Sequence, residues 1–390
     1  MNPRGEHVLP RIAMVSTFPP TQCGIATFAE SLARALTHAG ASVDMVDLPS
    51  GPETPPHDAV LHRHRGFQDL PVTARLLDSF DAVILQHEFG IWDGPDGHGI
   101  VDLIGALATP VITVLHTVPS VATGGQRRTL QRILDLSDAL VVLSHSAYRR
   151  IVKDFAVRPD TLTMIPHGAT ALWHVRKDDT HGAAPRILTW GLLGHGKGVE
   201  WGIRAMALLR DRGVSGEYVI AGATHPNVRR TEGEAYRRSL IDLARKLGVS
   251  GSVSLSDEYL SDDGLGQLIS EASLFLLPYD SHEQITSGVL VEAIAAGGPV
   301  VSTRFPHASE LLSTGAGVLV DHRDPIAIAD AIAHICRDGE ATERMRTRSR
   351  ALAAELDWGK VGRAYLTLAD RLWRGHKAAE EFEPALAASA

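Results

Sequence analysis

Short apolar runs alternate along the chain with segments in which apolar residues recur at helical spacing. Runs that are apolar almost throughout are typical of parallel strands buried on both faces of a sheet. In the first half they predict strands over residues 11–18, 42–48, 82–85, 111–115, 140–143 and 162–165. In the second half they predict strands over residues 187–190, 218–221, 253–255, 274–277, 300–303 and 318–320, and helices over 199–211, 236–247 and 289–296. The alternation predicts an α/β protein with parallel sheets.

A polar segment at residues 173–185 interrupts this alternation and is predicted to be a linker. It separates two predicted domains, residues 1–175 and 185–357, each a doubly wound, Rossmann-like α/β unit. An amphipathic helix is predicted over residues 358–375. Because open α/β sheets bind ligands beyond the carboxyl ends of their strands, two facing domains would hold a ligand in the cleft between them.

Composition narrows the class of protein. The 390 residues are 44% apolar, which is enough for two cores, and the formal net charge of −8 argues against a nucleic-acid ligand. Cys23 and Cys336 cannot form a disulfide framework, which favours a reducing, cytoplasmic location. Residues 1–10 lack the pattern of a signal peptide. No transmembrane segment is predicted, because the sequence contains no run of about 18 apolar residues.

The glycine-rich segment 191–198 follows a predicted strand and opens a predicted helix. Glycines let the backbone approach a ligand, a helix N-terminus attracts anions, and Lys197 adds a positive charge beside Gly196. The segment therefore predicts a phosphate site, although a glycine-rich turn with a solvated lysine is an equal alternative. Gly198 stands where an NTPase P-loop carries Ser or Thr for magnesium, so an NTPase is disfavoured.

A second anion site is predicted where Thr286, Ser287 and Gly288 open the helix that follows the strand at 274–277. Glu292 lies about one turn inside this helix, on a surface otherwise rich in Ala, Val and Leu. A carboxylate there could accept hydrogen bonds from sugar hydroxyls. The alternative is a glutamate that reaches solvent or stabilises its own helix.

Candidate residues in the first half follow strands in the same way. Gly24 comes after Pro19-Pro20 between a strand and a helix, where a plain tight turn is the alternative to a ligand contact. His116 ends the predicted strand at 111–115, where a structural histidine is the alternative to a site residue. The pairs His87-Glu88 and His167-Gly168 end two further strands of this half.

Several common motifs are absent from the sequence. No Asp-x-Asp, His-Glu-x-x-His, Cys-x-x-Cys or Gly-x-Ser-x-Gly occurs, so no metal site is predicted. The first half contains a locally basic stretch, which is interpreted as a solvated face. The second interpretation is weak attraction to anionic lipid, and hence peripheral membrane contact. The basic residues of this stretch are Arg127, Arg128, Arg132, Arg149, Arg150 and Lys153.

Taken in order, these motifs resemble the retaining glycosyltransferases of family 4, which have the GT-B fold. The resemblance rests on Pro-Pro-x-x-Cys-Gly24, Leu-His116-Thr, Ile-Pro-His-Gly168, Gly-x-x-x-x-Gly-Lys197-Gly198 and Thr-Ser-Gly-x-Leu-x-Glu292, and it spans residues 11–372. A subset of the family with a Gln-x-Thr-Ser-Gly loop is the most similar.

The resemblance implies two Rossmann-like domains that face each other across a cleft. The C-terminal domain would bind the nucleotide-sugar, the N-terminal domain would bind the acceptor, and helix 358–375 would pack back on the N-terminal domain. The implied reaction moves a hexose from a donor of the GDP-mannose or UDP-glucose type to a hydroxyl of a carbohydrate, lipid-linked or small-molecule acceptor. It needs no metal and no further cofactor.

The resemblance also implies roles for individual residues. Lys197 would grip the donor diphosphate, Glu292 would hold the ribose, and His116 would lie near the donor sugar. The catalytic candidates are Lys197, His116 and Glu283. The donor-binding candidates are Gly24, Gly196, Gln284, Thr286, Ser287, Gly288 and Glu292.

The chain departs from the family pattern at two positions. Gln284 stands where the first glutamate of Glu-x7-Glu is expected, with Glu283 one position earlier, and Leu192 stands where an arginine is expected. Arg304 is a candidate substitute for that arginine. Two alternatives therefore stay open: a GT-B sugar-nucleotide epimerase with Glu283 and Glu88 as acid and base, and a non-catalytic nucleotide-sugar binder.

Overall fold

The structure is a computed structural model that describes residues 8–49, 59–169 and 184–387, with side chains up to residue 379. The chain forms two compact units. The first unit comprises Met1–Gly168 and Trp358–Ala390, and the second comprises Ala169–Asp357. Most of the predicted linker, residues 173–185, lies outside the described residues.

The first unit contains a seven-stranded sheet whose strands all pair in parallel. Its strands are β1 (Arg11–Ser16), β2 (Ser42–Asp47), β3 (Val60–Arg63), β4 (Ala82–His87), β5 (Val111–Leu115), β6 (Ala139–Val142) and β7 (Leu162–Met164). Its first helices are α1 (Gly24–His38), α2 (Leu70–Leu77), α3 (Gly99–Ala106), α4 (Gly124–Leu136) and α5 (His145–Asp154). The strand order is β3-β2-β1-β4-β5-β6-β7.

The second unit repeats this plan with a six-stranded parallel sheet. Its strands are β8 (Arg186–Trp190), β9 (Glu217–Ala221), β10 (Val253–Leu255), β11 (Leu274–Leu277), β12 (Val300–Thr303) and β13 (Gly317–Val320), in the order β10-β9-β8-β11-β12-β13. Its helices are α6 (Val199–Asp211), α7 (Pro226–Glu232), α8 (Ala235–Lys246), α9 (Asp262–Glu271), α10 (Gly288–Ala295), α11 (Pro306–Leu312), α12 (Pro325–Arg337) and α13 (Gly339–Ala353).

Strand order determines where ligands can bind. The direction of the order reverses between β1 and β4 in the first unit and between β8 and β11 in the second. The loops that leave the carboxyl ends of such neighbouring strands diverge and leave a crevice. In the second unit these two loops are residues 191–198 and 278–287.

The last helix, α14 (Trp358–Ala387), belongs to the first unit and packs on α1. Its apolar face buries Val361, Tyr365 and Ala369 in the core of that unit. Gly362 allows the close approach, because a Cβ at this position would lie 2.8 Å from the Ala35 Cβ of α1. No described helix is long and apolar enough to cross a membrane.

The predicted strands coincide with observed ones, but the sequence analysis missed β3. This strand carries His62 and Arg63 and lies at the edge of its sheet, so it lacks the continuous apolar run of the central strands. The Arg63 Nε atom donates to Asp47 Oδ2 on the neighbouring strand at 3.1 Å.

Two glycines of α14 test whether its contact with α1 stabilises the first unit. We expect Gly362→Ala to lower stability by ~1–3 kcal/mol, because the added methyl group collides with Ala35. Gly375→Ala should raise stability by up to ~1 kcal/mol, because nothing lies within 4 Å of a Cβ there and alanine favours helix. Urea unfolding of both variants measures the difference, and equal effects would contradict the packing.

Candidate functional site

Two loops of the second unit are clamped together at the point where the strand order reverses. We call residues 191–198 the glycine turn and residues 278–287 the β11 loop. Gly198 has φ +63° and precedes α6, and a Cβ at this position would lie 1.9 Å from the Pro278 carbonyl oxygen. The Asp280 N–H donates to the Gly196 carbonyl at 2.9 Å. Only glycine at residue 198 permits this contact.

The contact between these two loops places Lys197 over the ring of Tyr279. The Lys197 Nζ atom lies 4.3 Å from the ring centroid of Tyr279. The Tyr279 ring is buried and stacks on Phe305, with ring centroids 5.2 Å apart and an angle of 18° between the planes. Cation–π attraction orients the ammonium group without neutralising its charge. Across the part of the chain that the structure describes, no carboxylate lies within 4.0 Å of Lys197 Nζ, so the charge is available to an anion.

The start of α10 lies at the end of the β11 loop and is braced from two sides. The Ser287 side chain accepts a hydrogen bond from the Leu290 N–H at 3.2 Å, and the Ser287 N–H donates to His307 Nδ1 at 2.9 Å. Ser287 and His307 are both buried. Gly288, the first residue of α10, belongs to the turn whose N–H groups have no carbonyl partner within the helix.

Gln284 and Thr286 complete the β11 loop. The Gln284 side-chain amide donates to the Thr286 carbonyl, and the Gln284 carbonyl accepts from the His307 N–H at 3.4 Å. The Thr286 hydroxyl is buried and has no hydrogen-bond partner among the described residues. Glu283 is exposed, and its N–H donates to Ser281 Oγ at 3.2 Å. The loop is therefore held by its own polar groups, with the Glu283 carboxylate at its surface.

Glu292 is tied to the end of β8. The Trp190 Nε1–H donates to Glu292 Oε2 at 3.0 Å, and Trp190 is itself buried. Burial raises the pKa of Glu292 to about 7, and the nearby charge of Asp262 adds to the rise, whereas the Trp190 hydrogen bond opposes it. The carboxyl group is therefore close to its titration midpoint at neutral pH.

Arg304 is paired with a carboxylate and so does not offer a second free cation beside Lys197. Its Nε atom donates to Asp321 Oδ1 at 3.1 Å, and both side chains are exposed. Leu192 lies in the glycine turn, where the family pattern has its arginine. Among the described residues, no three His, Cys, Asp or Glu side chains come together as a metal site would require.

In the first unit, Gly24 is the first residue of α1. Cys23 caps this helix, because its Sγ atom accepts a hydrogen bond from the Ala26 N–H at 3.4 Å. Gly24 is exposed, and a Cβ there would meet nothing within 4 Å. The packing of the unit therefore does not require glycine at this position.

His116 follows β5 and forms part of a cluster of neutral imidazoles. Its Nε2 atom lies 2.8 Å from Gln86 Oε1 of β4, and its ring packs edge-on against Phe28 at 4.8 Å. His167 packs against the same Phe28 ring at 4.9 Å. Burial lowers the pKa of His116 to about 3 and that of His167 to about 4, so both are neutral at physiological pH.

The sequence analysis missed four residues that shape these sites. Trp190 ends β8, and Tyr279 follows the end of β11. An aromatic residue at the carboxyl end of a strand could have marked both as candidate site residues. Gln86 lies inside an apolar run, where a polar residue was a second signal. His307 lies 20 residues beyond Ser287, and nothing in the sequence connects the two.

The raised pKa of Glu292 predicts a pH-dependent stability. The folded-state pKa of about 7 lies above the ordinary value of 4.5, so stability falls as the pH rises from 4.5 to about 7, where the unfolded chain has lost this proton and the folded chain still holds it. We expect the stability of Glu292→Gln relative to the wild type to increase by on the order of 1–2 kcal/mol between pH 5 and pH 8. Urea unfolding across this range measures it, with Glu258→Gln at an exposed position as the control. A constant difference would contradict the shifted pKa.

Comparison with models of protein families gives a match for each of the two units. A model described as Glycosyltransferase Family 4 matches residues 23–170, and one described as Glycosyl transferases group 1 matches residues 184–338. Together these ranges cover more than three quarters of the chain.

Individual proteins of known sequence or structure are similar at lower identity. The chain is 25% identical over 272 residues to a D-inositol 3-phosphate glycosyltransferase from Corynebacterium diphtheriae. That match covers 64% of this chain and 62% of the relative, so it spans less than two thirds of the relative's length.

Two solved structures share the fold. A sucrose-phosphate synthase from Thermosynechococcus elongatus superimposes with a TM-score of 0.76 and 18% identity, covering 94% of this chain and 100% of that one. Anabaena HepE in complex with UDP-glucose superimposes with a TM-score of 0.71 and 15% identity, covering 90% and 97%. The chain thus belongs to the glycosyltransferases of family 4, and its two parallel-sheet units are those of the GT-B fold.

Proposed function

We propose that this chain is a retaining glycosyltransferase that moves a hexose from a nucleotide-diphosphate sugar to an acceptor hydroxyl. The observation that carries the proposal is the position of Lys197, held over the Tyr279 ring and not paired with any described carboxylate. The glycine turn ends at the start of α6, and the β11 loop ends at the start of α10. These two helix starts and the lysine form one electropositive region in the second unit.

This region suits a diphosphate leaving group. As the glycosidic bond breaks, negative charge develops on the diphosphate, and Lys197 together with the N–H group at Gly288 would stabilise it. We propose that this stabilisation needs no metal ion. Gly196 would let the backbone approach the phosphates, and Gln284 and Thr286 would keep the loop beside the transferred sugar in shape.

Glu292 would hold the nucleotide ribose. Trp190 orients the carboxyl group through Oε2 and leaves the Oε1 atom with no hydrogen bond from Trp190. A carboxylate accepts hydrogen bonds from neighbouring ribose hydroxyls only where it has free lone pairs. Because the pKa of Glu292 is about 7, we expect nucleotide binding to strengthen as the pH rises through neutrality.

The donor and acceptor follow from the proteins that the chain resembles. We propose a donor of the UDP-glucose or GDP-mannose type, a choice supported by the UDP-glucose complex of HepE. For the acceptor we propose a hydroxyl of a carbohydrate or other polyol, bound by the first unit. The Corynebacterium relative, named for D-inositol 3-phosphate, supports this class.

The arrangement does not require a strong protein base. In the retaining mechanism we propose, the acceptor attacks from the side of the leaving group, and a phosphate oxygen takes its proton. His116 is neutral and would contact hydroxyls of the transferred sugar. Gly24 at the start of α1 would allow a close approach of the first unit's backbone to the donor. Glu283, on the exposed part of the β11 loop, stays a catalytic candidate.

The two alternatives are less well supported. An epimerase would need two carboxyl groups free to exchange protons, but Glu88 Oε2 accepts the Gly90 N–H at 2.6 Å. Both family matches are to transferases.

Nucleotide release from donor sugars tests the proposal. We expect the wild type to release nucleotide from one of UDP-glucose, GDP-mannose or ADP-glucose in the presence of EDTA, and Lys197→Ala to reduce the rate at least ~100-fold. Lys246→Ala, which removes an exposed lysine of the same unit, is the matched control and should retain the wild-type rate. An unchanged rate in Lys197→Ala would rule out the phosphate role.

The Tyr279 ring provides a second test of the same site. Tyr279→Phe keeps the ring under Lys197, whereas Tyr279→Leu removes it. We expect the leucine variant to lose ~2- to 30-fold in the rate of nucleotide release, corresponding to a cation–π interaction of ~0.5–2 kcal/mol, and the phenylalanine variant to match the wild type. Equal losses in both variants would show that the hydroxyl, not the ring, matters.

A further inference from the structure

Gln86 is a fully buried polar residue at the end of a strand that is otherwise apolar up to that point. It lies in β4, the central strand at which the order of the first sheet reverses, and its side chain is 0% exposed. Its Oε1 atom lies 2.8 Å from His116 Nε2, and its backbone carbonyl accepts the Trp92 Nε1–H at 2.9 Å. Gln86 therefore joins two side chains at the carboxyl edge of the sheet.

The Gln86 amide is only half satisfied. Its Nε2 atom is buried and has no hydrogen-bond partner among the described residues. A buried donor without a partner costs stability, and an apolar side chain of similar volume would avoid this cost. Such a residue is best explained by what the other half of its amide does, which is to accept a hydrogen bond from His116.

Because an amide oxygen can only accept, the His116 Nε2 atom must carry the proton in this contact. His116 is neutral, since burial lowers its pKa to about 3, and a neutral imidazole has one N–H and one lone pair. The lone pair is therefore on Nδ1. The structure gives Nδ1 no hydrogen-bond partner among the described residues, and the His116 side chain is only half-buried, so Nδ1 can accept from a ligand.

A neutral acceptor recognises a particular kind of group. A lone pair on an uncharged ring accepts a hydrogen bond from a hydroxyl, whereas an anionic phosphate oxygen has no proton to donate to it. The charged recognition in this protein lies with Lys197 in the second unit. His116 thus suits the hydroxyl groups of a carbohydrate.

We propose that Gln86 is a positioning residue that fixes His116 in its Nε2–H tautomer, so that Nδ1 accepts a hydrogen bond from a carbohydrate hydroxyl. The proposal rests on the proposed function for the identity of the ligand, but not for the tautomer. If Gln86 acted only in packing, a side chain of equal size would replace it without consequence for His116.

The tautomer can be measured on the full chain without any ligand. ¹⁵N NMR of the imidazole nitrogens distinguishes the two tautomers, and His116→Gln identifies the His116 signals. We expect the Nε2–H pattern in the wild type and a shift towards a mixture of tautomers in Gln86→Met. The His167 signals serve as an internal reference, because the His167 Nδ1 atom forms its hydrogen bond with the Gly168 carbonyl and not with Gln86. An Nδ1–H pattern in the wild type, or an identical pattern in Gln86→Met, would overturn the proposal.

Kinetics with the donor found in the nucleotide-release assay test the consequence. We expect Gln86→Met to lower kcat/KM ~10-fold or more with a raised donor KM, as is typical when a histidine loses the partner that orients it. Loss of folded protein would instead lower kcat and leave KM unchanged. Thr113→Val is the matched control, because it removes a buried hydrogen bond to Ser137, the residue after α4, and leaves the contacts of His116 in place. If Thr113→Val raises KM equally, Gln86 acts through general loss of structure.

The two experiments keep the two proposals separate. A wild type that shows the Nε2–H tautomer but releases nucleotide from no donor would contradict the proposed function and leave the tautomer assignment standing. A wild type that releases nucleotide but is unaffected by Gln86→Met would contradict the Gln86 role and leave the proposed function standing.

Discussion

The candidate donor site depends on one steric constraint, the contact between Gly198 and the Pro278 carbonyl oxygen. A Cβ at residue 198 would lie 1.9 Å from that oxygen, so only glycine lets the turn after β8 approach the loop after β11. Once the two loops meet, the Asp280 N–H bonds to the Gly196 carbonyl, and Lys197 lies over the Tyr279 ring. The lysine therefore owes its position to packing and not to an ion pair, and its charge stays available for a ligand.

The two units carry different chemistry beyond the carboxyl ends of their strands. In the second unit, helix starts and Lys197 provide positive charge beside a Glu292 carboxyl group that titrates near pH 7. In the first unit, His116 after β5 and His167 after β7 are neutral imidazoles, whose pKa values burial lowers to about 3 and about 4. A positive region suits a diphosphate, and uncharged acceptors suit hydroxyls.

Hydrophobic patterning was enough to predict the fold, because parallel strands buried on both faces produce continuous apolar runs. The edge strand β3 was not predicted, because only strands buried on both faces give a continuous apolar run. Spacing likewise predicted Lys197 and Glu292 as candidate site residues, since Lys197 lies in a strand-to-helix turn and Glu292 lies about one turn inside the helix that follows another. It did not show the partners of these residues: Trp190, Tyr279 and His307 act through contacts between segments distant in sequence, which a single sequence does not encode as a local pattern.

A crystal structure of the chain with UDP or GDP bound tests the central claim most directly. The account predicts a diphosphate oxygen within hydrogen-bond distance of Lys197 Nζ and of the Gly288 N–H group, with a ribose hydroxyl on Glu292. A nucleotide bound elsewhere, or bound while Lys197 stays turned away from its phosphates, would contradict the account.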